Sequence, residues 1–243
     1  HMIREMKEAV ISVNDLVKLY GEVRALDGVS FEVYEGEIFS YLGPNGSGKT
    51  TTVEILEGIR KPSSGTVTVL GHDVVKEARD IHMKIGVLPQ DFAAFDRLTV
   101  EENLELFCSL YRRGLTPEEL MRLVGLTEMR KVRFEKLSGG LKQRVGIAAA
   151  LAGDPEIVFL DEPTTGLDPK ARRDTWEVIK RLKKEGKTVF LTTHYMEEAE
   201  VLSDRVAVIV KGKVVAIGSP SELIKKYANY YILRVKGMKE EVK

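Results

Sequence analysis

The chain has 243 residues, 43% of them hydrophobic, which is enough for a sizeable core in one large domain or two small ones. Lysine plus arginine and aspartate plus glutamate each number 37, so no global field steers the chain toward nucleic acid or an anionic membrane, and no nucleic-acid partner is expected. The single Cys108 excludes an internal disulfide framework, suits the cytosol, and reads in LELFCSLYRR as a small apolar helix residue.

No stretch approaches the ~18 consecutive apolar residues of a membrane span. His1-Met2 reads as a cloning scar, and MIREMKEAV lacks the apolar core of a secretory signal. If this protein serves a membrane, another chain must cross it. In chain order, AVISVNDLVKLY and VSFEVYEGEIFSYLG read as strands, the second ending at the loop GPNGSGKT (43–50). A helix follows and stops at Gly58. PSSGTVTVLG reads as a turn and a strand, and KIGVLPQ as a strand ending on a polar residue. Residues from about 96 to 136 show helical periodicity without strand alternation, and we place a helical insertion at 91–136, with Thr116-Pro117-Glu118-Glu119 opening a helix inside it. Next comes a helix running through LKQRVGIAAALAG. EIVFLDEP then reads as a buried strand, PKARRDTWEVIKRLKKEG as an amphipathic helix, KTVFLTTH as a strand and RVAVIVKGKVVAIG as a hairpin turning at Lys211-Gly212-Lys213. YYILRVKG reads as a last strand. This alternation predicts an α/β fold with parallel strands joined by helices.

GPNGSGKT fits G-x-x-x-x-G-K-[ST] between a strand and a helix. Gly43, Gly46 and Gly48 let backbone N–H groups wrap phosphates, with Asn45 and Ser47 in the same loop. Lys49 would reach the β and γ phosphates, Thr50 would ligate Mg2+, and Thr51 would meet the α phosphate. A glycine-rich loop with a chance lysine is the bland alternative. IVFLDEP places Asp161 and Glu162 at the end of a buried strand, where open α/β sheets bind ligands. Asp161 can hold Mg2+ through water, and Glu162 can polarise a water as general base. The alternative role of helix cap suits Asp168, which precedes Pro169, better than either. Gln90 and His194 end strands and would emerge on the same edge, whereas His72 and His82 read as surface residues. LSGGLKQR (137–144) is a second anion cradle at a helix start, offered by Ser138, Gly139 and Gly140.

GPNGSGKT, Gln90, LSGGLKQR, IVFLDEP, TGLD and His194, in this order and approximate spacing, resemble the ATP-binding subunit of ABC (ATP-binding cassette) transporters over nearly the whole chain. The resemblance implies a P-loop NTPase of ABC ATPase type spanning 3–243: a mixed sheet core, an N-terminal antiparallel β-subdomain and the helical insertion. It implies Mg2+-dependent ATP hydrolysis by two cassettes packed head to tail around two ATP molecules. Each ATP then touches the P-loop of one copy and the LSGG segment of the other, which gives the second cradle its purpose. Ser138 and Gly140 would donate to the γ phosphate in trans, with Gly139 beside them. Gln90 would sense Mg2+ and the attacking water, His194 would contact the γ phosphate and support Glu162, and Asp168 would help to shape the opposite site. Tyr20 matches an aromatic that stacks on adenine, with a core tyrosine as the alternative. Leu141 departs from the glutamine usual after LSGG; it removes none of these donors and would leave a drier wall.

TTGLDPKARRDTWEVIK and TTHYMEEAEVLSDRVAVIVKGKVVAIGSPSEL resemble export-type cassettes of the ABC-2 group. This implies a separate transmembrane permease as partner, pressing on the 91–136 insertion, and a place on the cytoplasmic face of the cell membrane. Two other readings stay open here: a soluble ABC ATPase of cofactor assembly, and a nucleotide-binding module that does not hydrolyse ATP, against which Glu162 argues.

Overall fold

The computed structural model describes residues 7–227, so the His1-Met2 pair and the YYILRVKG strand expectation lie outside the described residues. Two sheets form. In the four-stranded sheet, order β2-β1-β4-β5, β1 (Ala9–Tyr20) runs antiparallel to β2 (Val23–Tyr34) and β4 (Ser64–Val69), and β5 (His72–Asp73) closes one edge. The six-stranded sheet has the order β10-β9-β3-β8-β7-β6. There β3 (Ile38–Leu42), β6 (Ile85–Leu88), β7 (Ile157–Asp161), β8 (Thr188–Thr193) and β9 (Arg205–Val210) are mutually parallel, and β10 (Lys213–Gly218) turns back antiparallel to β9.

One expected strand is in fact two. VSFEVYEGEIFSYLG divides at a turn where Gly36 takes φ +74, so that β2 and β3 belong to different sheets. The burial patterns give the reason. VSFEVY alternates and buries one face, as an antiparallel strand does, whereas IFSYL is buried at every position between β8 and β9. β7 and β8 are likewise buried throughout.

Among the described residues the helices include α1 (Lys49–Leu56), α2 (Ala78–His82), α3 (Val100–Ser109), α4 (Pro117–Val124), α5 (Gly139–Leu151), α6 (Pro169–Lys184) and α7 (Met196–Leu202), and residues 220–227 are helical as well. Between β6 and α5 the chain forms only α3, α4 and short 3-10 turns. Thr99 with Glu102 and Thr116 with Glu119 close capping boxes at the starts of α3 and α4, which satisfies N–H groups that the helix itself cannot. β5, α2 and α7 were not anticipated, because two to seven residues are too few to display a period. Cys108 is half-buried and its thiol donates to Leu115 O, 3.2 Å away, as befits a packing residue.

Between the sheets lies an aromatic core, with ring centroids 5.4 Å apart for Phe31 and Phe39, 5.7 Å for Phe39 and Phe190, and 5.6 Å for Phe159 and Phe190. A second core joins the other face of the parallel sheet to α3, α4, α5 and α6. Because β3, β6, β7 and β8 run the same way, the segments leaving their C-terminal ends all emerge on one edge: the glycine loop, Gln90, Glu162 and His194.

Candidate active site

The loop between β3 and α1 is shaped by glycines that no other residue could replace without displacement. A Cβ on Gly43 would sit 2.3 Å from Ile209 O, and Gly48 has φ +105 while its would-be Cβ meets Leu26 at 2.7 Å. Gly48 is also the N-cap of α1 and gives it no side-chain cap, so the first N–H groups of that helix face the cavity unpaired. Lys49 folds over the loop, donating from Nζ to Gly43 O at 2.6 Å and Pro44 O at 2.9 Å. Burial pushes its ammonium down from the usual lysine range, against the opposing pull of Glu162. A cavity of about 600 Å³ opens in front, lined by Asn45, Gly46, Gly48, Lys49, Thr50 and Thr51 on one side and by Gln90 and Glu162 on the other. Ser47 Oγ is buried beneath the loop without a hydrogen-bond partner among the described residues.

The acidic pair ends β7. Thr192 Oγ1 donates to Asp161 Oδ1, and burial raises the Asp161 carboxyl above the usual range more strongly than that bond lowers it. Glu162 has φ +47, a conformation that costs a non-glycine residue of order 1–3 kcal/mol. It is held there by its own N–H, which donates to Thr192 Oγ1 at 3.0 Å and to Thr192 O at 3.2 Å. The strained backbone turns the carboxylate into the cavity, where Gln90 Nε2 donates to Oε2 at 2.9 Å. Oε1 lies 3.2 Å from His194 Nδ1 and 3.6 Å from Lys49 Nζ. Neither acid caps a helix. Asp168 does: its Oδ1 accepts from Ala171 N at 2.9 Å.

A carboxylate fixed by an amide and an imidazole, beside a lysine and a row of free N–H groups, can bind a polyphosphate and take a proton from a water at its end. The site also fits a divalent cation, since burial disfavours a bare charge at Asp161 and the Thr50 hydroxyl and Gln90 amide face the same cavity.

The second cradle stands apart. Ser138 is the N-cap of α5, its Oγ accepting from Leu141 N at 3.3 Å, which leaves the hydroxyl proton free to donate. Ser138 and Gly139 are exposed, while Gly140 packs so tightly on α6 that a Cβ there would meet the Ala171 side chain at 2.9 Å. None of the three, nor Asp168, lines the cavity around Lys49. Leu141 is half-buried and packs inward against the helical core, so its apolar side chain is spent on folding. Tyr20 is 41% exposed at the end of β1, which overturns the core-tyrosine alternative; Lys18 and Arg60 each hold a cation 5.4 Å from its ring centroid. Of the two histidines read as surface residues, His72 is half-buried with Nδ1 2.7 Å from Glu77 Oε2, and His82 is exposed but brings Nε2 to 2.7 Å from Glu57 O.

The remaining cavity wall was not legible in the sequence. Val23, Arg24 and Ala25 come from β2 and Lys211 and Gly212 from the β9-β10 turn. Gly212 ties them together, its N–H donating to Ser47 O at 2.9 Å and its carbonyl accepting from Asp27 N at 2.8 Å. The Lys211-Gly212 hairpin turn was legible, but nothing local says that it lands on the phosphate loop.

The family model described as ABC transporter matches residues 26–165, from β2 through the acidic pair. The chain belongs to the ABC transporter family. This ABC cassette is an ATP-binding subunit that hydrolyses ATP. It is 41% identical over 223 residues to the "Daunorubicin resistance ATP-binding protein DrrA3" of Streptomyces coeruleorubidus, covering 90% of this chain and 71% of that protein. It is 44% identical over 229 residues to the "Nod factor export ATP-binding protein I" of Paraburkholderia xenovorans, covering 90% and 74%. Among solved structures it resembles the ATP-binding cassette MJ0796, described as dimeric and bound to ADP and Pi, with a TM-score of 0.75, 31% identity and coverage of 86% of this chain and 98% of that one. It also resembles cbiO1 of Clostridium perfringens, with a TM-score of 0.81, 26% identity and coverage of 96% and 100%.

Proposed function

We propose that this ABC cassette is the motor of an exporter, working as a head-to-tail pair of copies on the cytoplasmic face of the membrane. The observation that carries the pairing is the separation of two phosphate cradles: Lys49 and Glu162 share a cavity, while the Ser138 turn faces solvent elsewhere on the surface. A second copy turned head to tail would bring its Ser138 turn, with a free hydroxyl and the unpaired N–H groups of α5, to the terminal phosphate at Lys49. ATP then joins the copies and its hydrolysis releases them.

Within each site, Lys49 would leave its loop carbonyls to neutralise the β and γ phosphates, and the N-terminus of α1 would cradle them. Thr50, Gln90 and Asp161 would hold Mg2+, which would supply charge neutralisation on the phosphates. Glu162, oriented by Gln90 and His194, would accept the proton of the attacking water, and His194 would contact the γ phosphate. Tyr20 would stack on the adenine, and Asp168 would border the opposite site.

The export reading rests on relatives whose names specify drug resistance and Nod factor export. No described helix is long and apolar enough to cross a membrane, so a separate permease would carry the cargo. A groove of about 480 Å³ beside α3, with Ile59, Phe92, Phe107 and Tyr111 as walls and Glu57 in its floor, is the place where a permease helix would press. Glu162→Gln is the direct test of the motor. The variant keeps the nucleotide contacts but loses the base, so with ATP and Mg2+ it should accumulate as a dimer in size-exclusion chromatography; a strictly monomeric elution would contradict the pairing.

A further inference from the structure

Behind His194 runs a row of side chains that the hydrolysis of ATP at Glu162 leaves unused. The Tyr195 ring lies 4.0 Å from the His194 ring, centroid to centroid, tilted by 38°. The Arg172 guanidinium also packs on this ring, 4.6 Å from the Tyr195 centroid. Arg172 belongs to the first turn of α6, and its N–H donates to Asp168 O at 2.9 Å. One turn along α6, Trp176 Nε1 donates to Glu198 Oε2 at 2.8 Å, and Thr164 Oγ1 donates to the same oxygen. The 164–168 loop and the start of α6 are thus clasped by Glu198, which α7 carries, and bear on Tyr195 through Arg172. These contacts run continuously from the loop to the ring beside His194.

The row is also under-satisfied. Arg172 Nε and Glu198 Oε1 are both buried without a hydrogen-bond partner among the described residues, although they belong to helices packed against each other. Buried polar atoms left unpaired are destabilising, and a cation over an aromatic face offsets part of that cost.

We propose that Arg172 and Tyr195 are positioning residues that transmit the position of the 164–168 loop to His194, so that contact of that loop with a second copy sets how the imidazole meets Glu162. The proposal rests on the roles of Glu162 and His194 in the proposed motor and adds how the second copy reaches them.

The full chain labelled with 13C at histidine tests it, since four histidines give few resonances and His194→Gln assigns the relevant one. Tyr195→Ala should lower kcat roughly tenfold or more, as misplacement near a reacting group does, and leave the Kd of a fluorescent ATP analogue unchanged. Tyr195→Phe keeps the ring and should stay within about twofold of wild type. Arg172→Met should shift the His194 ring resonance and lower kcat, while Arg173→Met, on the exposed neighbour, should do neither. An active wild type whose Tyr195→Ala variant turns over equally fast, or an unmoved His194 resonance in Arg172→Met, would overturn this inference alone. A wild type that hydrolyses no ATP, or a His194→Ala variant with full activity, would overturn the parent reading and this one with it.

Discussion

Glu57 caps the end of α1 with only 5% of its surface exposed, and none of the ion pairs among the described residues includes it. Burial, with smaller contributions from the charges of Asp161 and Glu54, pushes its carboxyl up to about 8. The folded chain therefore keeps a proton that the unfolded chain releases near the ordinary glutamate value of 4.5, so stability falls as pH rises between the two values. Glu57→Gln cannot ionise and escapes this loss, which is on the order of a few kcal/mol at roughly 1.4 per pH unit. Thermal unfolding should show the variant equal to wild type at about pH 4 and clearly more stable at about pH 8.5. An identical pH profile for both proteins would mean that Glu57 is already paired.

At the scale of elements, the loop between β3 and α1 depends on close approach. Gly43→Ala puts a methyl 2.3 Å from Ile209 O and 2.7 Å from Ser47 Oγ, so β9 or the loop must move. Overpacking of this kind costs about 1–3 kcal/mol, and the displaced loop should also lose nucleotide affinity. Urea unfolding and titration with a fluorescent ATP analogue would report both, and a variant unchanged in either would contradict the tight β3-β9 packing. Elements of this length announced themselves in the sequence because their chemistry is local: the glycine loop, the acids after IVFLD, the helix opened at Thr116. Gln90 and His194 were found from their position at strand ends, which parallel pairing turns into proximity. The division between β2 and β3 was not legible, since one apolar run served two sheets. Nor was the contribution of Arg24, Ala25 and Lys211 to the cavity, which depends on Gly212 bonding to both Ser47 and Asp27 across long stretches of chain. Tyr195 is simply the residue after His194 and belongs to no motif, and Arg172 gave no signal because only the packing of α6 brings it over the Tyr195 ring.

For the whole molecule, the two cradles on separate surfaces make a definite demand on assembly. If each complete site takes Lys49 from one copy and Ser138 from the other, a chain damaged at Lys49 and a chain damaged at Ser138 can repair each other, since a mixed pair contains one site with both residues intact. Lys49→Ala and Ser138→Arg should each be inactive alone. The ATPase rate of their equimolar mixture is the most direct measurement of the shared site. We predict recovery to about a quarter of the wild-type rate, because half of the pairs are mixed and each has one working site. A mixture no more active than its two components, in a preparation where mixed pairs are shown to form, would contradict it.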